Sequence, residues 1–194
     1  MSSRDSDRLV GMSEFSDRYR KVAGQFTERV EGVPNGAWDN PAPPEGWVAR
    51  DIVRHLVEWV PGFLESNAGI SLPKAATVDT DPVGAWATFS DAIQGLLDDP
   101  VVSAREIDGP MGRTSVEQTV DMIVTSDVLL HTWDLARATG QDETLDREEV
   151  HRMFQGMEPM DELLRGSGHY GPRVEVPDDA DEQTKLIAFI GRRP

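Results

Sequence analysis

Between Ser115 and Gly140 the chain spells one long helix, and that helix carries charge on the face that should be hydrocarbon. Ser115, with Gln118 three residues on, forms a capping box at its start, and Gly140 marks its stop. On a wheel of about 100° per residue, Val116, Val120, Ile123, Val124 and Leu135 fall on one stripe, with Asp127, His131 and Asp134 in its middle. A carboxylate buried without a partner costs several kcal/mol or takes up a proton. Any fold built on this helix must cover the stripe and also answer its charges.

The remaining segments predict more helices to do the covering. "MSEFSDRYRKVAGQFTERVEGV" is amphipathic, with Phe15, Tyr19, Val22, Phe26 and Val30 at helical spacing. "PNGAWDNPAPPEGW" reads as a Pro/Gly-rich loop whose Trp38 and Trp47 hold it against the body of the protein. "VARDIVRHLVEWVPGFLES" is a second helix, which Pro61 should kink or end. "SLPKAATVDTD" is a connection. Asp81 caps a third helix with Pro82 at its first position, and "DGPMG" centres a short hairpin before Ser115. Asp146, with Glu149 three on, opens a fifth helix, "REEVHRMFQGMEPMDELLRG". The tail is a loop and then a short apolar helix around Leu186 to Ile190, while the first ten residues read as a frayed leader. These elements predict an all-α protein, a single domain over 1–194, most simply a four-helix bundle with extra elements.

Composition removes several functions. Lys+Arg 19 against Asp+Glu 35 gives a net charge of -16. Such a surface disfavours nucleic acid and anionic membranes as partners. The chain has no cysteine, which excludes disulfides, thiolate nucleophiles and Cys-based zinc sites. No signal peptide or membrane-length apolar run is found, and the expected location is cytoplasmic.

The second helix repeats the conflict of the long one. Val48, Ile52, Trp59 and Phe63 share a face with His55, and Asp51 and Glu58 flank it. A divalent metal between the two helices resolves both conflicts, because it neutralises a carboxylate and uses the imidazole lone pairs. The sharpest arrangement is His55 with Asp127 and His131, since Asp-x-x-x-His puts both side chains on successive turns of one face. Two imidazoles and one carboxylate suit zinc first, with nickel or ferrous iron as alternatives. Three protein ligands leave positions open for water or substrate. The competing reading is a core histidine in an ordinary hydrogen-bond network. Asp134 then holds Arg137 or a side chain of the first helix, Asp51 answers its helix dipole, and Glu58 points to water. His169, in "RGSGHYGP", is either a substrate contact or acid/base over the bundle mouth, or a solvated loop residue. His151 reads as surface, and Trp59 as core packing or a pocket wall.

Together, "GWVARDIVRHLVEW" and the downstream "DVLLHTWDLARATG" resemble the DinB-like metal-binding superfamily. The narrower likeness is to the actinobacterial branch related to the metal-binding domain of mycothiol-dependent maleylpyruvate isomerase. The tail "GHYGPRVEVPDDADEQTKLIAFIGRRP" resembles the endings of small single-domain proteins of that branch. The resemblance implies an up-down-down-up four-helix bundle and metal ligands at His55, Asp127 and His131. Two departures stand out. The isomerase pattern has Glu where this chain has Asp127, and its second domain has no counterpart here, so maleylpyruvate isomerisation itself is not expected.

The resemblance also implies a small-molecule substrate and a low-molecular-weight thiol such as mycothiol. Metal coordination lowers a thiol's pKa and holds it as thiolate. With no cysteine in the chain, the nucleophile must arrive with the cosubstrate. The expected activity is thus thiol S-transfer to a small electrophile, in a monomer or homodimer. Hydrolysis by activated water at the same open position, and non-catalytic binding of a metal or small ligand, are the alternatives.

Overall fold

The computed structural model describes residues 13–109, 112–166 and 170–194. The expected leader, the Pro110–Met111 tip of the hairpin and the candidate His169 lie outside the described residues. In chain order the helices begin with α1 (Glu14–Glu31), α2 (Ala49–Ala68), α3 (Pro82–Asp98) and the one-turn α4 (Pro100–Ser103). Strands β1 (Glu106–Gly109) and β2 (Gly112–Ser115) form an antiparallel hairpin pairing Ile107 with Thr114. There follow α5 (Val116–Thr119), a π-helical segment Val120–Thr125, α6 (Ser126–Thr139), α7 (Arg147–Met157), α8 (Asp161–Gly166) and α9 (Glu182–Phe189). The described residues are therefore all-α apart from one small hairpin.

Local sequence sets most of these boundaries. Asp81 accepts the Gly84 amide at the start of α3, Ser115 and Gln118 form the expected box, and the Asp146 side chain accepts the amides of Glu148 and Glu149. Gly140 closes α6 at φ 69, where a Cβ would be strained. Two prolines act in opposite ways. Pro61 does not end α2, which runs on to Ala68 and leaves the Val57 carbonyl without its usual amide donor. Pro159 instead interrupts the expected fifth helix, leaving α7, a 3-10 turn and α8.

Helix α1 packs on α3 and α6, and α2 packs on the same two. Tyr19, Val22, Phe26 and Val30 are buried as their spacing requires. Phe26 meets Trp86 edge-on at 4.5 Å, and the Trp86 indole donates to Thr27 Oγ1 at 2.8 Å. Each such aromatic contributes about 1.5–3 kcal/mol through burial. Helix α9 packs on α7, with Phe189 edge-on to Phe154. One cluster of buried side chains runs from Tyr19 to Ile190.

Helix α6 is buried on nearly every side, from Val128 to Ala136. It is a central helix, not one with a single apolar stripe. The π-helical segment before it also departs from the constant-pitch wheel. Thr125 Oγ1 and Ser126 Oγ donate to the carbonyls of Val120 and Asp121, five residues back, at 3.4 and 3.3 Å. Ile123, placed on the core stripe at 100° per residue, is accordingly only half-buried. On α2 the buried face is Ile52, Val53, Leu56, Val60 and Leu64. His55, Trp59 and Phe63 lie at its edge and not at its centre.

Candidate metal centre

The edge of α2 and the first turns of α6 bring His55, Asp127 and His131 together. Asp127 Oδ2 lies 3.1 Å from His55 Nε2, and Oδ1 lies 3.4 Å from His131 Nε2. One ligating atom from each residue falls within 4.8 Å of the others. The imidazole centroids are 5.1 Å apart and inclined at 71°. Ligands about 2.0–2.1 Å from a tetrahedral zinc ion stand about 3.3 Å from one another, so the two short separations are of the size such an ion requires. Among the described residues, no lysine or arginine pairs with Asp127, and its carboxylate is answered by the two imidazoles, with the Trp59 indole beside them. The donor set and its spacing fit a divalent cation.

The group is open on one side. The His55 and Asp127 side chains are 34% and 25% exposed, whereas His131 is 7% exposed. Neither flanking carboxylate closes the set. Asp51 accepts the Val48 amide at 2.9 Å and pairs with Arg54, and the exposed Glu58 lies 3.9 Å from the same guanidinium. Both are structural groups of α2.

Trp47 covers the group from the loop before α2. That loop is pinned by Ala42 and Trp47, whose amides donate to Trp47 and Pro44 carbonyls, and by Asn40, whose side chain donates to the Ala138 carbonyl of α6. Trp47 consequently stacks over His131 at 5.8 Å and packs on His55 at 5.2 Å. Trp59 flanks His55 from the next turn at 5.8 Å. Among the described residues its buried indole N–H meets no acceptor in good hydrogen-bond geometry, yet it lies near enough to Asp127 to favour the charged carboxylate. Tyr170 is also close. Burial first, and then the Asp127 charge, push its hydroxyl upward.

Electrostatics keep the centre polarised. Burial alone would raise the Asp127 carboxyl, but His131 and His55 outweigh it and hold it below the ordinary value. Burial disfavours a charged His131, and Asp127 and Asp134 on its two sides reverse that. Asp134 does not hold Arg137 or a side chain of α1. Its Oδ2 lies 3.0 Å from His131 Nδ1, and Arg192 donates to both of its oxygens at 2.9 and 3.2 Å. Arg137 instead pairs with Glu143 and lies over the Trp133 ring. His151 is an exposed partner of Glu182, as a surface residue should be.

Sequence reasoning found the three convergent residues and missed the roles of Trp47, Tyr170 and Arg192. The buried charge of Asp134 signalled that a cation was needed. Nothing local identified Arg192, which is 58 residues away.

No family model matches the chain. It is similar to two uncharacterised proteins of Mycobacterium tuberculosis, from strains CDC 1551 and H37Rv. Each is 26% identical over 177 residues, covering 90% of this chain and 95% of the relative. No solved structure matches. Among the described residues, no helix is long and apolar enough to cross a membrane.

Proposed function

We propose that this chain is a divalent-metal protein of the DinB-like type, an up-down-down-up four-helix bundle, acting as a metal-dependent thiol S-transferase on a small electrophile. The observation that carries the reading is the His55–Asp127–His131 group, spaced for a cation and open on one side. Zinc suits two imidazoles and a carboxylate best, with nickel and ferrous iron sharing the preference. When bound, the ion supplies a Lewis acid that favours thiolate over thiol at neutral pH.

The chain's own residues do the rest. Asp127 and the two imidazoles hold the ion, and Asp134 fixes one of those rings. Trp47 and Trp59 wall the imidazoles and leave the His55–Asp127 side as the approach. Because the chain has no cysteine, the thiol of this transfer comes with the cosubstrate, and the family resemblance points to one of the mycothiol type.

The test begins with metal content, by plasma mass spectrometry, of wild type and His131→Ala. About one divalent ion per chain, lost in the variant, supports the centre. The loaded protein should then transfer a thiol to an electrophile such as a maleyl or haloaromatic acceptor. Turnover of an activated ester without any thiol would replace transfer by hydrolysis. A wild type that cannot be loaded with zinc, nickel or iron overturns the reading.

A further inference from the structure

Asp134 touches no candidate ligand atom, yet it is completely buried on the centre's central helix. Its Oδ2 lies 3.0 Å from His131 Nδ1, while the opposite ring nitrogen, Nε2, faces Asp127 Oδ1 at 3.4 Å. A carboxylate only accepts hydrogen bonds. Asp127 is a carboxylate too, but Asp134 is the nearer and the fully buried one, so in the neutral ring the nitrogen facing Asp134 carries the proton and the nitrogen facing Asp127 and His55 keeps its lone pair. Ligating histidines are generally oriented by such a partner on the far ring nitrogen.

The carboxylate is itself oriented from elsewhere. Arg192 Nε donates to Oδ1 at 2.9 Å and Nη2 to Oδ2 at 3.2 Å. This two-pronged contact fixes the carboxylate plane as well as balancing its charge. A single-point cation would leave the carboxylate free to rotate about its bond and lose its aim. Arg192 reaches inward because α9 ends in a tight turn. Gly191 sits at φ 85, and its amide and that of Arg192 donate back to the carbonyls of Ala188 and Ile187. A Cβ on Gly191 would stand 2.9 Å from Gly171 Cα, so the turn needs glycine for space as well as conformation. Arg165 ties the same corner by donating to the carbonyls of Gly171 and Phe189.

We propose that Arg192 is a positioning residue of the metal centre, acting through Asp134 to hold His131 in the tautomer that leaves Nε2 free toward Asp127 and His55. The inference deepens the metal reading above and rests on it for its consequence, though not for its first readout. It makes the corner between Gly171 and Arg192 part of the centre, although that corner contributes no ligand.

Two measurements test it, on the full chain as wild type, Arg192→Gln and Arg192→Lys, with circular dichroism confirming the helices. The first is the His131 tautomer in metal-free protein, by long-range 15N–1H correlation, in alkaline buffer where the ring is neutral. Wild type should show a protonated Nδ1. Arg192→Gln should populate both tautomers, and Arg192→Lys should fall between. The second is zinc affinity by competition with a chelating dye. Arg192→Gln should bind about 10–100-fold more weakly than wild type, with part of the loss recovered in Arg192→Lys. A wild type protonated at Nε2, or a folded Arg192→Gln with one tautomer and undiminished affinity, overturns the proposal. Should Arg192→Gln not fold, wild-type behaviour in Arg192→Lys overturns it equally. Should no variant bind zinc, the metal reading falls, and the tautomer comparison alone decides the role of Arg192.

Discussion

Two clusters of charge lie close together on the long helix, and they are built to opposite plans. Around Asp121, in the π-helical segment, the charges are closed. Arg18 donates to Glu149 at 2.5 Å and to Asp121 at 2.6 Å, Lys21 approaches Glu149 at 3.8 Å, and the Arg18 and Glu149 side chains are at most 8% exposed. Each carboxylate here meets a cation, Arg18 bridging Asp121 and Glu149, while Lys21 at the edge is shared with Asp146 and Glu148. Six residues on from Asp121, among the described residues, Asp127 meets two imidazoles and the edge of the Trp59 indole but no lysine or arginine, and solvent reaches it. Burial with complete pairing builds a joint between α1, the π segment and α7. Burial with incomplete pairing leaves a place for an ion. The number of polar groups does not separate a site from a strut here, whereas the missing cation does.

That contrast breaks most visibly at Arg18. Arg18→Met should leave Asp121 and Glu149 buried without their partner and cost about 3–5 kcal/mol, read as a lower urea midpoint. Any folded fraction should still bind metal at His55, Asp127 and His131. The reverse holds at the centre. Adding zinc at about 100 times its dissociation constant should stabilise the wild type by about 2.7 kcal/mol, and a chelator should reverse the gain. His55→Ala and His131→Ala should lose that gain entirely, which thermal unfolding with and without zinc will show. Asp127→Asn keeps the shape and removes the charge, so it should weaken zinc binding while changing metal-free stability by no more than about 1 kcal/mol.

The smallest effect sharpens the contrast at a pair that is partly exposed. Asp146 caps α7 and meets Lys21 at 2.9 Å. Burial works to raise its carboxyl, but Lys21 and the capped amides hold it below the ordinary 3.8. A depressed carboxyl stabilises the fold above its unfolded value and loses that contribution as pH falls through the folded value. Asp146→Ala should thus cost about 1 kcal/mol at neutral pH. Its deficit should close as the pH drops below 3.8, measured by urea unfolding in a pH series, with metal binding at neutral pH unaffected.

The features legible in the sequence were those with a local cause. Caps at Asp81, Ser115 and Asp146 and the stop at Gly140 depend on side chains within a turn of the break, and they lie where expected. His55, Asp127 and His131 were legible because charge and imidazole stood among hydrophobic residues on two helices, and the structure brings them together. The phases of those helices were less legible. His55 belongs to the rim of α2 because the buried face is set by what α3 and α6 present to it, not by α2 alone. Pro61 and Pro159 carry the same local chemistry and met different ends, since packing on both sides sustains α2 past its proline. Arg192 and Trp47 come to the centre through a turn and a loop whose course only the assembled chain determines.

The π-helical segment has a consequence for how this protein can change. An extra residue lodged in a helix turns everything downstream by about 100° relative to everything upstream. Residues 116–119 and 126–139 therefore behave as two shafts joined by a fixed coupling, each timed to its own load. The first is timed to the hairpin and α1, and the second to His55. Substitutions can tune either shaft separately. A gain or loss of one residue between them cannot, because it would rotate Asp127 and His131 away from His55 together, however well every side chain was kept.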